Sequence, residues 1–314
     1  MPEPFFHWGD SAFEYIGFLS SFFIIGAIAF RAFVLRPMLA CGGSRADALR
    51  ASGPSAARIG LIGALLGAIG LVHSVMGLAA RKHLTFGAAA AAGGWNFGVP
   101  AVLLLVLIIA FALAAARRDA VWPVAIIAGF ALALRSVPTA ITGRWQSMIN
   151  PLHLLFGSLW LGTLFVVVVA GLALAIRGPL PRDARGSTVA EMVNRFSTLA
   201  LVSAACLVLT GITTAVLHLK YVAALWTTDY GRTFLVKLCV VLVVVALGAW
   251  NWRRVRPSLG GEESARMIRR TATSELAVAA LVLAVTAVLV TLPVPKKPKP
   301  VPPAAAAATA QPAP

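Results

Sequence analysis

GVPAVLLLVLIIAFALAAARR, residues 98–118, decides the fold. From Gly98 to Ala116 the run carries no charged side chain, and it stops at the paired Arg117 and Arg118. A bilayer core about 30 Å thick takes roughly 20 apolar helical residues to cross, so this run is long enough to span. Lipid offers the backbone no hydrogen-bond partner, and a helix satisfies its own polar groups internally. The two arginines mark the side on which the helix emerges.

Seven further runs share this character. The eight expected spans are Glu14–Leu35, Arg58–Leu78, Gly98–Ala116, Val121–Ile141, Pro151–Ile176, Phe196–His218, Arg232–Trp252 and Thr273–Leu292. The chain is 59% hydrophobic and only 12% charged, a balance foreign to soluble domains. The fold class is therefore all-α: a polytopic membrane protein with eight transmembrane helices. It divides into a four-helix half at 1–149, a second four-helix half at 150–292, and a Pro/Ala/Lys-rich tail at 293–314 that is expected to be disordered.

Lysine and arginine set the orientation. The loops after the first, third, fifth and seventh spans hold 16 basic residues, among them Arg36, Arg117, Arg182 and Arg253. The opposite side holds 8, including Arg81, Lys82 and Arg144. The basic side is the inner one, so both termini are expected outside. The net charge of +16 is then mostly an orientation signal, not a nucleic-acid footprint. Residues 1–11 have no basic stretch typical of a cleaved leader, so the first span is expected to stay. Cys41, Cys206 and Cys239 lie at three depths and imply no disulfide framework.

On this topology all five histidines, His7, His73, His83, His153 and His218, fall at or just below the outer face. Imidazole is a frequent metal ligand, and burying it in lipid is costly without a partner. The outer loop GAAAAAGGWNFG at 87–98 reads as flexible by composition. Tyr221, Trp226 and Tyr230 in the next outer loop suit an interfacial aromatic belt.

Four segments of the second half carry a family likeness: HLLFGSLWLG (153–162), NRFSTLALVSAACLVLTG (194–211), YGRTFLVKLCVVLVVVALGAWN (230–251) and SELAVAALVLAVTAVLVTLPVP (274–295). Together they resemble the copper-resistance protein D (CopD) family of bacterial inner-membrane proteins, over roughly 150–295. That resemblance implies eight helices, a place in the bacterial inner (plasma) membrane, and copper moved inward from the periplasm. It also implies a periplasmic CopC-like copper-binding protein as partner.

With copper in view, the candidate ligands are His73, Met76, His153 and His218. His73 and Met76 are three residues apart, and an imidazole beside a thioether suits copper. His153 shares a helix face with Phe156, Gly157 and Trp160, while Gly157 and Gly162 admit a close neighbouring helix. His218 closes its span, where capping the helix dipole competes with ligation. Roles for His7, His83 and Met148 stay open. Cys206, Cys239, Met38 and Cys41 would make a ladder of soft ligands if a route crossed the membrane.

Charges inside the spans qualify this picture. Arg135 and Lys237 either reach to the interface or face the bundle, where they would favour an anionic group such as a haem propionate. Glu275 can pair with Arg195, Arg253 or Arg254 near the inner face. No phosphate loop, zinc-protease helix or Ser/His/acid set is present. Two alternatives stand beside copper movement. One is a single-haem b-type cytochrome using His73 with His153 or His218. The other is a non-transporting assembly or sensory subunit. The topology has a direct test: reporter fusions after Ser44 should read cytoplasmic and fusions after Pro314 periplasmic. A cytoplasmic C-terminus would overturn the orientation and every outer-face assignment.

Overall fold

The computed structural model describes residues 8–40, 49–135, 145–177, 182–219, 221–250, 253 and 262–295, and every regular element among them is helical. Among the described residues seven helices are long and apolar enough to cross a membrane. In chain order the elements are α1 (Trp8–Leu39), α2 (Ser52–Lys82), α3 (Phe86–Gly93), α4 (Trp95–Ala115), α5 (Trp122–Ala133), α6 (Gln146–Ala175), α7 (Arg182–His218), α8 (Ala224–Thr227), α9 (Asp229–Trp250) and α10 (Glu262–Thr291).

The two most buried spans, α1 and α6, form the central pair. A Cβ on Gly26 would run into the backbone of Gly162, and one on Gly162 into the carbonyl of Phe22. Only glycine lets two helix backbones touch in this way. On one side α2 packs on α1, α4 on α2 and α5 on α4. Gly63 of α2 repeats the device, since a Cβ there would sit 2.9 Å from the Ile24 nitrogen of α1. On the other side α10 packs on α1, α9 on α10, and α7 on the start of α6. The outward faces of α7 and α9 present Leu201, Leu209, Val216 and Leu242, all exposed, as lipid-facing helices must.

Both central helices contain π-helical turns, at Phe30–Leu35 in α1 and at Ser158–Gly162 and Val167–Leu172 in α6. Such turns insert an extra residue and collect at functional sites. One of them ends at Gly162, the crossing point. At the end of the bundle away from the histidines, Arg31 of α1 pairs with Asp119 at 3.3 Å and lies over the ring of Trp122, 5.6 Å from its centre. The ion pair and cation–π contact tie the α4–α5 turn to α1.

Of the fourth expected span, Val121–Ile141, the described part is the short α5, whose 12 residues rise about 18 Å, and the remainder from residue 136 lies outside the described residues. The described residues thus hold seven full spans. One expectation is corrected. The loop at 87–98 is not flexible: α3 fills it. Thr85 caps α3 by accepting a hydrogen bond from the Ala88 amide at 3.3 Å, its alanines favour helix, and Gly94 at φ +48° ends it. At its N-terminal end α7 continues as helix well past the apolar span, supported by the Glu191–Arg195 pair one turn apart at 2.9 Å. His7, Cys41, Ser44 and the tail from 296 lie outside the described residues.

The crossing gives a stability prediction. Gly162→Ala should destabilise the detergent-solubilised protein by about 1–3 kcal/mol, the usual range for overpacking. Gly17→Ala, where no atom lies within 4 Å of the added carbon, should be neutral or slightly stabilising. Equal thermal unfolding midpoints for Gly162→Ala and wild type would sink the close-crossing argument.

Candidate functional site

Contacts between helix ends assemble one end of the bundle. Ser11 at the start of α1 lies 3.2 Å from Thr291 at the end of α10, hydroxyl to hydroxyl. Phe13 stacks on His73 near the end of α2, with ring centres 3.4 Å apart. Thr214 near the end of α7 donates to the Asn150 side-chain oxygen at the start of α6, at 3.4 Å. His218 stacks at 6.4 Å on Tyr230 at the start of α9. Helices therefore alternate in direction, and His73, His83, His153 and His218 all belong to this end.

Below it opens a cavity of about 2180 Å³, walled by both halves of the chain. His73, His153 and His218 line it, each from a different helix. The wall continues along α6, α7 and α10 as far as Thr271 and Glu275 near the other end. Its walls are mostly apolar side chains, with few polar groups placed at intervals, the usual make-up of a ligand site.

His153 is the best-positioned imidazole. Its Nδ1 lies 3.0 Å from the Thr210 hydroxyl. That hydroxyl has one proton, already given to the Cys206 carbonyl at 2.8 Å and shared with that of Leu207 at 3.1 Å. Thr210 oxygen is left to accept, so Nδ1 carries the hydrogen and Nε2 presents a lone pair. A fixed N–H partner of this kind is what orients a ligating histidine. Gly211 leaves room for the ring, because a Cβ there would sit 3.1 Å from the imidazole Cε1. His218 is held similarly: its Nδ1 donates to the Thr214 carbonyl at 2.8 Å, leaving Nε2 free of that bond.

The other expected ligands are placed differently. Met76 is 58% exposed and is absent from the cavity wall. The cavity-facing residues of this part of α2 are Gly70, His73, Ser74, Gly77 and Arg81, so three residues' spacing from His73 carries Met76 around to the outer face. His83 ends α2 at φ +52° and is exposed. Met148 lies in the turn opening α6, off the wall. Among the described residues no three His, Cys, Asp or Glu side chains gather in a set that could hold a metal ion. The three imidazoles thus share a cavity without forming a closed coordination shell.

The ladder of soft ligands has no counterpart in the described residues. Met38 is buried in the apolar core, Cys239 is exposed, and neither Cys206 nor Cys239 reaches the cavity. Glu275 is buried, 7% exposed, while Arg195 is engaged by Glu191 through two nitrogens at 3.1 and 2.9 Å. Arg135 is exposed and donates to the Leu132 carbonyl at 3.3 Å, capping α5. Lys237 also lines the cavity, as does Arg135. Tyr230, expected in an interfacial belt, is buried against His218 instead. Sequence reading passed over Thr210 and Phe13; the Thr–Gly ending of 194–211 was the available signal for the first.

Against known proteins, residues 190–289 match the family described as Copper resistance protein D. No curated protein and no solved structure matches the chain. The match runs from the first third of α7 through α9 to the end of α10, so it includes Thr210, His218 and Lys237 and does not include His73 or His153. With its apolar helices this makes the chain a multi-pass membrane protein of the bacterial inner membrane. The likeness to the copper resistance protein D family is carried by residues 190–289, within the second half of the chain.

Proposed function

We propose that this protein binds copper at the histidine end of the cavity and passes it inward from the periplasm, both chain termini lying on the periplasmic side. The observation that carries the reading is the placement of His73, His153 and His218 on one cavity wall, in a chain that matches a copper-resistance family over residues 190–289. His153 is the principal ligand, because its Nδ1 is tied to Thr210 and its Nε2 lone pair is available. His218 and His73 receive or relay the ion at the mouth. Met76 drops out of the ligand set because it faces away from the cavity. The length of the cavity, from Asp10 to Thr271, supports passage and not mere capture. A CopC-like periplasmic carrier is the proposed donor.

Copper stoichiometry of the purified protein tests this. His153→Ala should lose most binding, and the His73→Ala/His153→Ala variant essentially all of it, whereas Met76→Ala and His83→Ala should bind nearly as wild type. Undiminished copper on the double variant would place the metal elsewhere. Thr210→Val, which removes the oxygen that orients His153, should weaken copper about 10- to 100-fold, as loss of an outer-shell partner does. An unchanged affinity would mean the imidazole orients itself.

A second reading has one observation in its favour: Lys237 lines the same cavity as His153, which suits a haem with one axial imidazole and a propionate on the ammonium. Protein expressed with ample haem should show no strong Soret band under the copper reading. A stoichiometric band lost in His153→Ala would establish the cytochrome instead.

A further inference from the structure

Lys237 sits eight residues into α9, about 12 Å of rise from the helix start. Together with Phe234, Val241, Val245 and Gly248 it forms the stripe of α9 that faces the cavity, and it is the cation of that stripe. Among the described residues it makes no hydrogen bond and no ion pair. Glu275, the carboxylate that α10 contributes to the same wall, lies 16 residues from the end of its helix at Thr291, about 24 Å of rise. It is therefore about 12 Å deeper than Lys237 and is no counter-ion for it. A lysine inside a span ordinarily reaches out to the interface, and one that turns inward needs a partner. The parts of the wall that α9 and α7 contribute are mostly apolar, among them Phe234, Leu238 and Val241 on α9 and Leu207 and Val208 on α7. α7 and α9 present exposed apolar faces on either side, so the cavity is bounded by helices that meet lipid.

We propose that the cavity holds an acidic amphiphile, its carboxylate or phosphate on Lys237 and its apolar body along α7 and α9. An ammonium supplies charge and three donors to an acid oxygen, and the surrounding hydrocarbon wall selects for an apolar body over a small hydrated anion. The His153 Nε2 lone pair would not accept from an ionised acid, so it stays open to a second group or ion. Neutralising Lys237 also removes the charge that would repel a cation from His153. The inference does not rest on the copper reading, since it uses Lys237 and its surroundings alone.

The test uses the full chain in detergent with cis-parinaric acid, a fluorescent long-chain carboxylate, and its methyl ester. The acid should bind at least tenfold tighter than the ester. Lys237→Met should abolish that preference and Lys237→Arg should keep it. Equal binding of acid and ester by the wild type overturns the proposal with no variant needed, and so does a preference that survives in Lys237→Met or in Lys237→Gln. Competition identifies the source: displacement by phosphatidylglycerol but not phosphatidylcholine assigns the site to a phospholipid, and retention of the probe against both assigns it to a free carboxylate. Copper is absent from every arm, so failure here and failure of copper binding are read separately.

Discussion

Backbone contact between α1 and α6 at Gly26 and Gly162 is the constraint on which the remaining arrangement depends. In lipid the hydrophobic effect does not drive helices together, so association rests on close packing and on interhelical hydrogen bonds. A glycine at each side of the crossing brings the two helix axes close enough for main-chain atoms to touch. The π turn ending at Gly162 rephases α6 beside the crossing, and large side chains such as Phe22 and Phe30 fill the space flanking it. Every other span then packs, directly or through one neighbour, on this pair.

The same crossing shapes the cavity. α2, α4 and α5 pack tightly on one flank of α1, where Gly60, Gly63 and Gly129 each meet a side chain or backbone of the adjoining helix. On the other flank α7 follows α6 while α9 follows α10, and the space between α7 and α9 stays open below their joined ends. Tight packing on one side and a splayed pair on the other give a single space that reaches from the histidine end to Glu275.

Polar groups within that space follow one rule. Most polar atoms along the wall are satisfied locally by a helix carbonyl or hydroxyl. His153 gives its Nδ1 hydrogen to Thr210 and keeps Nε2; His218 gives its own to the Thr214 carbonyl. Serine and threonine across the spans bond back to carbonyls one turn earlier, as Thr210, Thr286 and Ser158 do. Lys237, the cation that α9 turns to the cavity, has no such arrangement within the described residues, which marks it as a binding group.

Composition and the runs of about twenty apolar residues determined that this is an all-helical multi-pass membrane protein, because lipid admits no other backbone solution for such a chain. They also placed the spans to within a few turns, and the alternation of basic loops set four described histidines at one end. Local pattern could not show that residues 87–98 are helical, since a run of alanine is read as flexible until its Thr85 cap and Gly94 stop are seen together. Nor could it tell which way a side chain faces. Met76 stands three residues from His73, yet the rotation between them puts one toward the cavity and the other toward lipid. The pairing of His153 with Thr210, and the approach of Lys237 to the same cavity, join residues 57 and 84 positions apart along the chain. Such juxtapositions depend on how helices cross, and the crossing was decided by the tertiary fit of Gly26 to Gly162, which no single segment contains.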